Sequence, residues 1–244
     1  MTEGTEGTDG ALSRSNVAGQ AIAALALGGV LAGGFWYMAK ADAEEAQARG
    51  PAVCTPSHPA TPEGSPEPRR TRPAGYVPGD ALCRALNRPD LPRLLGTPGE
   101  EAQNAWGSDG WIGSDARTGI AAPEGDVRFP TYAAKLSVSY DRLPVATMGR
   151  LLGKTAEPTR VLGRQAVLYS DRTLALKIPL AGGSEAESAP GGIARHLLVA
   201  KDAKDGGGSY ELVIWRQDEA APDDAALLRI AERVLPTLPG WAAR

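Results

Sequence analysis

The most apolar part of the chain is one stretch near its amino terminus, Val17–Met38. These 22 residues lie in an uncharged run bounded by Arg14 and Lys40. As a helix rising about 1.5 Å per residue, the stretch would measure about 33 Å, close to the thickness of the hydrocarbon core of a bilayer. An aromatic triplet, Phe35–Tyr37, ends it, as is typical of residues at headgroup depth. The pattern predicts a transmembrane helix over residues 17–38.

The surroundings of this helix set expectations for its processing and topology. Acidic residues and a single Arg14 precede it, unlike the basic start of a cleavable signal, so we expect an uncleaved anchor. Small residues at Ala41 and Ala43 keep cleavage after either position, with secretion, as an alternative. Both cysteines lie beyond the helix, which favours a cytoplasmic amino terminus and a carboxyl-terminal part outside a bacterial plasma membrane. Gly29 and Gly33 have the spacing of a weak homodimer contact between membrane helices.

The segments that flank the helix are polar. Residues 1–16 consist largely of Gly, Thr, Ser and acidic residues and predict a disordered cytoplasmic tail. Residues 39–78 hold eight prolines and predict an extracytoplasmic Pro-rich linker. Cys54 in this linker and Cys83 beyond it are a candidate disulfide, which would fold most of the linker back onto the domain. Two free thiols are the alternative.

From residue 79 onward the pattern indicates a folded domain. Asp80 is a predicted N-cap for a short helix over residues 81–87, and Asp90 for a second turn that ends at Gly96. Strict alternation of apolar and polar residues over 135–140 and 174–180 predicts half-buried strands.

Two hairpins follow from short polar turns between apolar runs. Residues 161–162 and 166–169 flank the first turn. Residues 193–201 and 209–216 flank the sequence DAKDGGG, whose glycines supply the positive φ angles of a tight turn.

The last element is a helix that begins at Pro222–Asp224 and ends at Pro236. From Leu227 its apolar residues recur at i, i+3, i+4, i+7 and i+8, which gives one apolar stripe. We therefore predict an α+β fold for residues 79–244. An antiparallel sheet packs against a short N-terminal helix and a C-terminal helix in a sandwich-like α/β/α arrangement, and one transmembrane helix precedes it.

The charge balance argues against nucleic acid as a partner. Residues 1–50 carry three Lys and Arg against six Asp and Glu, and residues 51–244 carry 23 of each. A nucleic-acid-binding domain usually has a basic excess that neutralises phosphates.

Searches for catalytic and metal-binding patterns find none with the required spacing. The sequence GRLLGKT at Gly149–Thr155 is one residue short of a phosphate loop, and neither G-x-S-x-G nor S-x-x-K occurs. His58 lies in the linker and His196 in a predicted strand, where a structural role is favoured. We predict no catalytic residue, no metal and no cofactor, although the scattered acids leave a carboxylate pair open.

One candidate ligand-contact loop stands out. The near-repeat WGSDGWIGSD places Trp106 and Trp111 among glycines and polar residues. Exposed indole rings beside hydrogen-bonding groups suit contacts with a sugar or a peptide. The alternative is a loop whose tryptophans fill the core.

Four stretches carry a resemblance to a known group of proteins: ALCRALNRPDLPRLLGTP, AVLYSDRT, GGIARHLLVAKDAKDGGGSYELVIWRQD and PDDAALLRIAERVLPTLPGW. Together they resemble an actinobacterial family of uncharacterised single-pass membrane proteins, which implies kinship and no particular chemistry. At the level of the fold, the order of elements is similar to the Mog1/PsbP-like α/β/α sandwich of envelope lipoproteins. This chain lacks the lipid-attachment cysteine of those lipoproteins.

These observations predict a membrane-anchored extracytoplasmic accessory or binding domain that is not an enzyme. Its partners would be the bilayer, through Val17–Met38, and an unknown protein or envelope polymer. The alternatives are an envelope hydrolase that uses a carboxylate pair and a secreted protein released by signal cleavage.

Overall fold

The computed structural model describes residues 51–56, 71–112, 119–152, 155–177 and 187–241. They belong to one compact unit, Pro51–Arg244. Within these ranges no helix is both long enough and apolar enough to cross a bilayer. The predicted tail 1–16, the predicted span 17–38 with its two glycines, and the cleavage sites at 41 and 43 lie outside them.

The described residues form eight strands and four α-helices, and a short 3₁₀ helix, Leu235–Thr237, ends the last helix. In chain order they are β1 Thr55–Pro56, α1 Gly79–Leu86, α2 Leu91–Leu95, β2 Asn104–Ile112, β3 Ile120–Arg128, β4 Tyr132–Ser139, α3 Val145–Leu151, β5 Glu157–Val161, β6 Arg164–Lys177, β7 Glu187–Ala200, β8 Ser209–Arg216 and α4 Asp224–Val234.

All eight strands form a single sheet in the order β1-β2-β3-β4-β8-β7-β6-β5. The predicted α+β class is confirmed. The sheet is mixed and not purely antiparallel, because β1 pairs in parallel with β2 through Thr55 opposite Trp106. Every other pair is antiparallel.

Both predicted hairpins are present. The first turn is Leu162-Gly163 and not residues 163–165 as predicted, because β6 already begins at Arg164. Its φ angles of 49° and 81° fit the two-residue turns that join twisted strands. The predicted strand at 166–169 and residues 174–177 of the predicted strand at 174–180 are parts of one strand, β6, whose register shifts between Arg172 and Leu174. Residues 178–180 lie outside the described ranges. In the second turn Asp205, Gly207 and Gly208 have positive φ.

The early helices differ from the prediction at their starts. Asp80 is not the N-cap of α1, because the helix begins at Gly79, two residues before the predicted start, after an extended Pro78. Asp80 instead forms an ion pair with Arg84 one turn along, at 2.8 Å. Asp90 does precede α2, but its carboxylate binds Arg88 and caps no amide. Gly96, with φ at 87°, ends α2 as predicted.

Helices α1, α2 and α4 cover one face of the sheet. The apolar stripe of α4 is buried as predicted, and Asp223 caps its start by accepting a 3.0 Å hydrogen bond from the Ala225 amide. These helices and the inward residues of β3 to β8 form one hydrophobic core. The predicted N-terminal and C-terminal helices therefore lie on the same side of the sheet.

Among the described residues, the opposite face carries one helix, α3, which the sequence did not predict. Val145 on α3 packs with Val167, Leu198 and Ala200 at one end of the sheet. Asp205 in the β7–β8 turn accepts hydrogen bonds from the first two amides of α3, at 2.7 and 3.0 Å, and so holds it there. The rest of this face is not covered by a described helix, and we call it the open face.

The predicted disulfide between Cys54 and Cys83 is present, with a Cα–Cα distance of 5.9 Å. It joins the residue before β1 to the middle of α1. Ala52 adds two contacts: its amide donates to the Ala102 carbonyl at 2.9 Å, and its carbonyl accepts from the Asn87 side chain at 2.7 Å. The described parts of the predicted linker, 51–56 and 71–78, thus contact the folded domain.

Helix α1 lies directly on the backbone of β2 and β3. A Cβ atom at Gly125 would be 2.3 Å from the Cys83 nitrogen, and one at Gly107 would be 2.3 Å from the Gly79 carbonyl carbon. No side chain fits between these backbones, so glycine is required at the crossing.

We expect Gly125→Ala to lower the free energy of unfolding by about 1–3 kcal/mol, because the added methyl group must push α1 away from the sheet. Urea unfolding of the full chain measures this. Gly99→Ala is the matched control, since nothing lies within 4 Å of a Cβ atom there. Equal stability of the two variants would show that the contact between α1 and β3 is looser than described.

Candidate functional site

The open face carries a groove of about 690 Å³ near the centre of the sheet. Because side chains alternate between the faces of a strand, residues two apart along β3, β4, β7 and β8 share this face. Many of these residues are charged or aromatic, whereas the residues of a covered sheet face are mostly apolar. The polar and aromatic residues of the groove include Trp106, Glu124, Asp126, Arg128, Lys135, His196, Glu211 and Trp215.

The strand register arranges part of this lining as one row across the sheet, which we call the central row. Neighbouring strands lie about 4.8 Å apart, so each member is next to the following one. From β2 to β6 the central row is Trp106, Asp126, Lys135, Val213, His196 and Tyr169.

Asp126 is the least expected member of the row. Only 2% of the residue is exposed, and its Oδ1 atom has no hydrogen-bond partner among the described residues. Arg128 Nε lies 3.5 Å from that oxygen, near enough for electrostatic attraction, but it makes no hydrogen bond. Burial raises the pKa of Asp126 to about 6, against the lowering effect of Arg128 and Lys135.

The cations near Asp126 are engaged with other groups. Lys135 Nζ forms a 2.8 Å ion pair with Glu124, which lies two residues before Asp126 on the same face. The Arg128 guanidinium lies over the Trp106 indole, 4.9 Å from the ring centre. This half of the groove thus combines one unsatisfied acceptor, two donors and one aromatic ring.

A hydrogen-bonded cluster occupies the other half of the groove. Glu211 accepts from the Tyr169 hydroxyl and lies 2.9 Å from His196 Nδ1, while the rings of Tyr169 and His196 stack at 4.5 Å. Burial opposes ionisation of Glu211, but the hydrogen bonds from His196 and Tyr169 prevail and lower its pKa. Burial and the nearby Glu211 carboxylate raise the pKa of Tyr169. The cluster places the Glu211 carboxyl between the Tyr169 hydroxyl and the His196 imidazole.

The two tryptophans of the predicted contact loop lie on strand β2 and not on a loop. Trp106 lines the groove. Trp111 is an odd number of residues away and therefore belongs to the opposite face. The structure does not bring the two rings together, so only Trp106 is retained as a candidate contact residue. His196 lies on β7 in the cluster described above.

Sequence reasoning missed the residues that make the groove distinctive: Asp126, Glu124, Glu211 and Trp215. One signal was available for the first two. Residues 124, 126 and 128 are all charged at a spacing of two, which is typical of a strand with one polar face. Glycine and proline in the same strand obscured that pattern.

The groove offers hydrogen bonds, charge and aromatic surface. No group of three or more His, Cys, Asp or Glu residues that could hold a metal ion occurs in the part of the chain that the structure describes.

Comparison with known proteins finds a family that the sequence matches. The model of a family of unknown function, DUF6215, matches residues 13–155, which include the predicted transmembrane segment and the elements as far as α3. No curated protein and no solved structure matches the chain.

Proposed function

The chain belongs to DUF6215, a family of unknown function, and we propose that residues 51–244 form a non-catalytic binding domain whose ligand occupies the groove on the open face. The observation that carries the proposal is the composition of that face. Its centre displays tryptophans and charged groups and is covered by no described helix. A sheet face with a purely structural role would carry apolar residues and would be covered by a second layer.

The proposal places this domain outside the plasma membrane, held by the segment Val17–Met38. The length and hydropathy of that segment support an anchor. The Cys54–Cys83 disulfide supports the location, because disulfides persist in oxidising compartments. Two further points are part of this proposal. The family is an actinobacterial family of single-pass membrane proteins, and the fold of the domain is similar to the Mog1/PsbP-like sandwich.

Reporter fusions to Arg244 test the topology. A reporter active only outside the cytoplasm is expected to be active in intact cells. Activity restricted to a cytoplasmic reporter would overturn the proposed location. The amino-terminal sequence of the native protein distinguishes an intact anchor from release by cleavage after Ala41 or Ala43.

Photocrosslinking in intact cells tests the groove as a binding site. We expect a photoreactive phenylalanine derivative at Trp215, within the groove, to give a discrete adduct. The same group at Glu232, exposed on α4 on the far side of the sheet, is expected to give none. Identical products from both positions would count against a site in the groove.

Within that assay, we expect Trp106→Ala to reduce the yield of the adduct at position 215 at least fivefold, because the indole supplies contact area at low entropic cost. Trp111→Ala on the same strand is the matched control, since its ring belongs to the other face. Circular dichroism checks that both variants fold. An unchanged yield with Trp106→Ala would remove this ring from the site.

One observation favours a second candidate, an envelope hydrolase that uses a carboxylate pair. Asp126 is buried in the groove with its pKa raised to about 6, a value suited to a general acid, and Glu124 shares its face. Incubation of cell-wall polysaccharide with the full chain tests this candidate. Release of reducing ends that Asp126→Asn abolishes would establish the hydrolase in place of the binding domain.

A further inference from the structure

The groove contains one acceptor that no described residue satisfies. Asp126 Oδ1 is buried without a hydrogen-bond partner among the described residues. A buried polar atom of this kind is rare in folded proteins and often marks the place of a missing partner. Since Asp126 lines the groove, a ligand in the groove is a candidate for that partner.

The charges around Asp126 select the kind of donor. Glu124 and Arg128 flank it on its own strand, Lys135 lies directly opposite on β4, and Trp106 opposite on β2 is uncharged. Two cations, Arg128 and Lys135, and one other anion, Glu124, therefore surround Asp126, so an added ammonium group would meet more positive than negative neighbours. A neutral hydroxyl group avoids that repulsion.

A hydroxyl group also matches the mixture of donors and acceptors. It donates one hydrogen bond and accepts others, so adjacent hydroxyls can bridge a carboxylate and an ammonium group. Asp126 supplies the acceptor and Lys135 the donor, side by side in the central row.

The aromatic rings indicate a ligand with apolar faces. Trp106 is next to Asp126 in the central row. Trp215, the second indole of the groove, lies three strands away on β8, about 14 Å across the sheet. A ligand that contacts both indoles must therefore be extended, with polar edges and apolar ring faces.

We propose that the groove binds a neutral oligosaccharide, whose hydroxyl groups bridge the Asp126 carboxylate and the Lys135 ammonium while one sugar ring lies against Trp106. This inference rests on the proposed function, since it specifies the ligand class of the same site.

An array of immobilised glycans tests the inference with the full chain. The array carries neutral oligomers of glucose and N-acetylglucosamine together with oligomers of glucosamine, which bear amines on the same rings. We expect binding to at least one neutral oligomer and at least a tenfold loss of affinity in both Asp126→Asn and Trp106→Ala. Arg160→Gln, an exposed change on β5 away from the groove, is the control and is expected to retain the affinity.

A second readout locates the contact. With ¹³C-labelled carboxyl carbons, the neutral oligomer is expected to lower the measured pKa of Asp126, because hydroxyl donors stabilise the ionised form. Binding of the amine-bearing oligomers alone, or of no glycan, would overturn the saccharide assignment. The crosslinking assay judges the groove independently of these results, so failure of the ligand class and failure of the site are distinguishable.

Discussion

Asp126→Asn is expected to make the domain more stable at pH 7, by about 1–3 kcal/mol. The pKa of Asp126 is raised from an ordinary 3.8 to about 6, so the folded state binds this proton more tightly than the unfolded state. Stability from this group is therefore full below pH 4 and falls as the pH rises to about 6. A shift of about two units corresponds to about 3 kcal/mol lost at neutral pH, which the uncharged amide avoids.

The pH dependence of the difference between variant and wild type is the decisive measurement. Urea unfolding is expected to show a gain near zero at pH 4 that grows to its full size by pH 7. The lowered pKa of Glu211 changes the stability with pH in the opposite direction, but it does so in both proteins. The difference between variant and wild type at each pH therefore cancels the contribution of Glu211.

Glu124→Gln is the matched control, because Glu124 lies two residues away on the same face and already pairs with Lys135. It is expected to give no stabilisation at any pH. A loss of stability in Asp126→Asn at pH 7 would contradict the predicted gain. It would mean that the Asp126 carboxylate makes stabilising contacts other than those described.

Reduction of the Cys54–Cys83 disulfide is expected to lower the free energy of unfolding by about 3–4 kcal/mol. The two cysteines are 29 residues apart, and the crosslink restricts a loop of that length in the unfolded chain. Urea unfolding with and without dithiothreitol measures the difference. Cys54→Ala is expected to match the reduced protein and to be insensitive to dithiothreitol.

Equal stability of the oxidised and reduced forms would contradict this expectation. It would mean that the contacts of residues 51–56 hold this segment in place without the crosslink.

Most of the fold could be predicted from local patterns. Alternation identified β4, the turn sequences identified the two hairpins, and the apolar stripe with Asp223 identified α4. These signals succeed because each depends on neighbours within one element. The start of α1 was predicted two residues late because Asp80 is a good N-cap type, whereas the Gly79 backbone contact with β2 sets the helix position.

The site was largely beyond prediction because it depends on strand register. Asp126 and Lys135 lie on consecutive strands, but His196 comes from a strand far along the sequence, and only the order and register of the sheet align the three. Trp106 and Trp111 show the opposite case. They are close together in the sequence, but their side chains belong to opposite faces of the sheet. A glycine-rich, polar sequence suggested a loop, but pairing with β3 makes it a strand.

The crosslink between Cys54 and Cys83 also limits how proteolysis could release this domain from the proposed membrane anchor. A single proteolytic cut anywhere between the two cysteines leaves both fragments joined through the sulfur atoms. Only cleavage before residue 54, or a cut combined with a reductant, would separate the amino-terminal segment from the sheet.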